Sequence, residues 1–153
     1  MASSFITQDN VHGFWVHDSF LQVVAWGMVN VIDEMTIPDD IWPKGEFRDH
    51  VFYSSQGYFV GFTTLGITAE YIASSERRII FNDIINKVRS FFLSKGDWLS
   101  PEELNAFQLT ENTARKWIEP LETKRILKIL EYLEKVINDQ ITIQAGDFID
   151  YEF

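Results

Sequence analysis

Residues 19–32 read SFLQVVAWGMVNVI, between Asp18 and Asp33, and this stretch decides the fold class. From about Phe14 to Met35 nearly every position is apolar, so a helix here has no polar side and must be buried centrally. Asp18 or Ser19 can cap its start by accepting from orphan N–H groups, and Pro38 lies just past its end. The β-branched Val29, Val31 and Ile32 also suit a strand, but the apolar run is long enough to favour a helix. The expected fold is mainly α: a single-domain helical bundle, residues 1–153, around a buried N-terminal helix, with a short C-terminal β-hairpin or an extended tail.

After this helix, two prolines, Asp39, Asp40 and Gly45 make a surface loop around Trp42. A short helix follows over Glu46 to Gln56, ended by Gly57. Glycines 57, 61 and 66 then allow close packing, short strands or turns. Ser75 opens an amphipathic helix whose Phe81, Ile84, Ile85, Val88, Phe91 and Phe92 share one face, and Gly96 closes it. Ser100-Pro101-Glu102-Glu103 carries the capping-box pattern for another short helix. A turn or two over Thr113 to Ile118 should bury Trp117. Pro120 can start the last helix, with Ile126, Ile129, Leu130, Leu133, Val136 and Ile137 as its apolar stripe. The tail, Ile141–Ile143, Ala145–Asp147 and Phe148–Phe153, reads as two short strands about a turn or as an extended strap.

A chain of 153 residues can bury about 70% of its unfolded surface, and 46% apolar and 15% aromatic content exclude disorder. The absence of cysteine excludes disulfides, thiolate metal sites and cysteine nucleophiles, which favours a reducing, cytoplasmic setting. Met1 to Asn10 lacks the basic start of a signal peptide, and the apolar run is too short to span a bilayer. Net charge is −10 and unevenly spread. Residues 1–75 hold nine acids and two bases, residues 76–138 ten acids and eleven bases, and residues 139–153 four acids and no base. That field repels nucleic acid and anionic membranes and attracts basic proteins, although acidity also serves solubility alone.

Few residues suggest catalysis. His12, His17 and Asp18, with Asp49 and His50, could ligate a metal and support a hydrolase, but His12 and His17 lack the spacing of one helical face. Local roles, a capping Asp18 and a packed His17, compete with that idea. No serine elbow, phosphate loop or dinucleotide motif occurs, and nothing draws two carboxylates into a cleft, so neither catalytic residues nor a cofactor are expected. The bases Arg77, Arg78, Lys87, Arg89, Arg115, Lys116, Lys124, Arg125 and Lys128 sit mostly among acids as on ordinary helix surfaces.

The order of segments GFWVHDSFLQVV (13–24), FRDHVFYSSQGYFVGF (47–62), SSERRIIFNDIINKV (74–88) and WLSPEELNAF (98–107) resembles small bacterial proteins, among them immunity proteins of contact-dependent and polymorphic toxin systems. The resemblance covers most of the chain but rests on core patterning, so it transfers no functional residue. It implies a non-catalytic cytoplasmic protein that covers the basic surface of a cognate nuclease toxin. Asp33, Glu34, Asp39, Asp40, Trp42, Glu46 and Asp49 combine carboxylates with an aromatic anchor in one stretch, which makes them the expected partner-binding residues. Trp42 could equally pin its own loop to the core. The other readings are the metal-dependent hydrolase and a regulatory or scaffold protein that homodimerises through exposed aromatics; monomer and homodimer both remain open.

Overall fold

The chain starts as a hairpin. In the computed structural model, which describes residues 3–57, 69–108 and 116–147, β1 (Ser3–Thr7) pairs antiparallel with β2 (Gly13–His17), Ser3 opposite His17 and Thr7 opposite Gly13. The carboxylate of Asp9 organises the turn by accepting from the N–H groups of Val11 (2.8 Å) and His12 (2.7 Å), the His12 ring (2.8 Å) and the Thr7 hydroxyl (3.2 Å). Asn10 takes the left-handed conformation between them, with φ of 63°. Partial burial pushes the Asp9 carboxyl up, but these hydrogen bonds outweigh it and hold the group well below the usual carboxylate range.

Phe14 to His17 are therefore strand, not the first turn of the helix. Aromatic and β-branched residues suit either state, and here β1 supplies the hydrogen-bond partners that settle it. Helix α1 (Asp18–Glu34) begins at Asp18. Asp18 does not cap it: His17 occupies the cap position and makes no side-chain cap bond, while Asp18 accepts from Ser4 Oγ at 2.6 Å within the first turn. An acid there still favours the helix through the N-terminal dipole. Leu21, Val23, Val24, Ala25, Met28, Val31 and Ile32 are buried, whereas Asn30, Asp33 and Glu34 are exposed. Gly27 lets α1 approach Phe92 closely, since a Cβ there would sit 2.4 Å from its ring.

Helix α2 (Lys44–Ser55) follows the loop, and Gly57 at φ 87° ends it as the glycine predicts. A 3₁₀ turn (Ala69–Ile72) precedes α3 (Ser75–Leu93), where Ser74 Oγ accepts from the Arg77 N–H at 3.2 Å. In α4 (Pro101–Ala106) only half of the capping box closes. Ser100 accepts from the Glu103 N–H, but the Glu103 carboxylate turns to Lys95 at 2.7 Å.

The last helix, α5 (Thr123–Ile137), begins three residues beyond Pro120, because Leu121–Glu122 (β4) pairs with Trp98–Leu99 (β3). Trp117 is buried as expected, but residues 116–118 form no helix; Asn105 instead holds the Trp117 backbone by two bonds of 2.8 and 2.9 Å. Residues 109–115 lie outside the described part, as do Gly61 and Gly66.

Helix α1 packs against α2, α3 and α5, and α3 against α5. The expected stripes of α3 and α5 face this core, with Phe91 half-buried. Each such side chain contributes about 1.5–3 kcal/mol by burial. The surface pairs Lys87–Asp83 and Lys135–Glu131 contribute about 0.3–0.5 kcal/mol each, so burial decides the fold. The α3–α5 contact is also specified by Arg89–Glu134 (2.8 Å) and a reciprocal amide pair between Asn82 and Asn138 (2.9 Å each way).

The tail lies extended along β2: Gly13 N–H donates to Ile143 O (2.9 Å) and Trp15 Nε1 to Ala145 O (3.0 Å). Residues 148–153, the other half of the expected hairpin, lie outside the described part. Among the described residues no helix is long and apolar enough to cross a membrane.

Candidate protein-binding face

The acid-rich stretch runs from the last turn of α1, through the loop at 35–43, to the first two turns of α2. Its carboxylates are exposed but not equivalent. Asp33 is held by Arg48, whose Nε and Nη2 donate at 3.0 and 3.3 Å. That bond and the charges of Asp33 and Asp49 outweigh desolvation and raise the Arg48 pKa further. Asp39 Oδ1 accepts from the Gly45 N–H at 3.0 Å, so it serves the start of α2, where Pro43 offers no capping side chain. Glu46 stands 3.9 Å from His50. Glu34, Asp40 and Asp49 have no hydrogen-bond or ion-pair partner among the described residues. Lys44 Nζ is bound to the Met35 carbonyl, so both bases of the first half are already engaged within the chain.

Trp42 is not part of the exposed face. It is 0% exposed, donates through Nε1 to Tyr71 O (3.0 Å), and lies against Phe47, Tyr71 and Phe81 with ring centroids 4.9–5.6 Å apart. It pins its own loop. The acceptor comes from Tyr71, 29 residues away, which no local pattern reveals. Burial, with the charges of Glu46 and Glu70 behind it, pushes the Tyr71 hydroxyl well above its ordinary range.

His12, His17 and Asp18 do not meet. His12 precedes β2 and His17 ends it, five residues on and roughly 16 Å away at strand rise. His12 binds Asp9, His17 Nδ1 lies 3.0 Å from Ser3 Oγ, and Asp18 is taken by Ser4. Among the described residues no group of three or more His, Cys, Asp or Glu could hold a metal ion.

Two apolar features were not singled out by sequence. Trp98 (54% exposed) and Ile118 (83% exposed) border a shallow cleft with Phe20 and Pro120, beside Lys116, Glu119, Glu122 and Arg125. The sequence around Trp98 does not mark it as exposed, since Trp42 stands in a comparable loop flanked by proline and glycine and is buried. A second cleft, of about 480 Å³, opens between α1 and α3 next to Glu34. No family model, curated protein or solved structure matches the chain.

Proposed function

We propose that this protein is a non-catalytic binding protein, a helical bundle built round α1 that acts in the cytoplasm as an immunity protein and neutralises a basic toxin domain. The observation that carries the proposal is the set of carboxylates with no hydrogen bond or salt bridge among the described residues, Glu34, Asp40 and Asp49, on an exposed stretch whose own bases are already bound. Charges left free can steer a basic partner and then pair with it, whereas Asp33 and Asp39 would first have to release structural bonds. The same field disfavours nucleic acid and anionic membranes as partners.

The test is co-expression with a toxin-like domain encoded beside its gene, scored by complex formation and survival. Glu34→Lys, Asp40→Lys and Asp49→Lys together should weaken the complex by much more than tenfold, where tenfold is about 1.4 kcal/mol. Unchanged affinity removes this face from the interface, and no complex with any such domain overturns the proposal.

A second reading, homodimerisation, is favoured by the Trp98–Ile118 patch. Its two acids and two bases leave it without net charge, so two copies would not repel across a two-fold contact, unlike the acidic half. Sedimentation equilibrium should then show dimers that Ile118→Lys converts to monomers; wild-type monomers at about 100 µM, where a dimer of micromolar Kd would be mostly assembled, would exclude it.

A further inference from the structure

The geometry points to the cleft between α1 and α3 as a receptor for one arginine side chain of the protein partner, a refinement that rests on the proposal of a basic partner. Val31, Met35 and Phe91 supply apolar wall, and Asn30, Glu34 and Ser90 supply polar atoms. Each of the three offers an acceptor. Asn30 spends an amide hydrogen on Trp26 O at 2.9 Å, which leaves its Oδ1 open, and the Ser90 hydroxyl donates to Asn86 O at 3.2 Å, which leaves its lone pairs. Glu34 is exposed and unengaged among the described residues.

Lys87 also borders the cleft, but its ammonium lies 3.0 Å from both oxygens of Asp83. The free charge on the rim is therefore negative. An anion is disfavoured, and a purely apolar group would strip water from three acceptors without replacing it.

An arginine fits on both counts. Its methylene stem can cover Val31 and Met35, and its planar fork of five donors can serve acceptors spread over two helices. Phe91 serves here as apolar wall alone, because Lys95 Nζ already stands 5.0 Å from its ring centroid. A lysine ammonium is a compact point charge and would satisfy Glu34 alone.

The probe is N-acetyl-arginine methylamide, titrated into the full chain and followed by amide NMR, with the lysine analogue alongside. Saturable shifts should centre on Asn30, Glu34, Ser90 and Phe91. Binding should weaken about two- to fivefold in Glu34→Gln, in the range of an exposed ion pair, and not in Asp40→Asn. Shifts spread along the whole acidic half, equal response to lysine, or no effect of Glu34→Gln would overturn the cleft. A toxin complex indifferent to Glu34→Gln, without arginine binding, overturns the cleft and leaves the proposed function standing. Arginine binding with no protein complex does the reverse.

Discussion

Trp42→Ala should destabilise the protein by about 3–5 kcal/mol, the upper range for a fully buried aromatic cut to a methyl group. The ring has 0% exposure, three aromatic neighbours within 5.6 Å and a filled hydrogen bond to Tyr71 O. Truncation leaves a cavity among Phe47, Tyr71 and Phe81 and strands a buried carbonyl, so neither loss can be repaired by solvent. At roughly 2–4 °C per kcal/mol for a chain of this size, the melting midpoint should fall by about 6–20 °C. Trp42→Phe separates the terms. It keeps most ring contacts and loses the N–H, so it should cost only about 1–3 kcal/mol. Urea denaturation of both variants measures this, and a wild-type midpoint for Trp42→Ala would refute the buried placement. Loss of partner binding in Trp42→Ala would then report an unpinned loop, not a lost contact, so this residue cannot map the interface.

Gly13→Ala is expected to have the next largest effect. A Cβ at this position would lie 2.0 Å from the Ile6 carbonyl oxygen and 2.9 Å from its carbon. Those are backbone atoms of β1 and cannot rotate away. The Gly13 N–H is meanwhile bound to Ile143 O, so the strand cannot retreat without releasing the tail. Relief requires parting β1 from β2, and overpacking of this kind costs about 1–3 kcal/mol or more. Amide exchange should speed up across Ser3–Thr7 and at Phe14 to Val16, with a lower urea midpoint. Unchanged protection there would show that the hairpin accommodates the methyl group.

The same position explains why the hairpin was not legible in sequence. Phe14 to Val16 are apolar and β-branched or aromatic like the helix that follows, and the polar His17, Asp18 and Ser19 between them suit a first helical turn as well as a strand end, so the run reads as one element. What divides it is β1, which supplies strand partners from eight to fourteen residues upstream. Pro120 shows the same thing on a smaller scale. It can start a helix, yet Leu121 and Glu122 are taken by Trp98 and Leu99, which only the folded α3–α4 turn brings within reach. Asp18 and Asp39 are a matched pair of misleading signs: the acid beside a helix start does not cap it, and the acid five residues ahead of another helix serves its first turn.

The apolar run at 19–32 was sufficient by itself to make this a mainly helical protein, because nine buried residues in seventeen leave a helix little choice but the interior. The stripes of α3 and α5, the serine caps at Ser74 and Ser100 and the closing glycines at Gly57 and Gly96 are equally local, since each depends on residues within one or two turns. The uneven charge is likewise a property of sequence. Only tertiary structure decided where that run begins, which way Trp42 faces, and which carboxylates stay free. Each depends on a partner far along the chain: β1 for Phe14, Tyr71 for Trp42, Arg48 for Asp33. Periodicity records which side of an element is apolar, but it does not record what arrives to meet it.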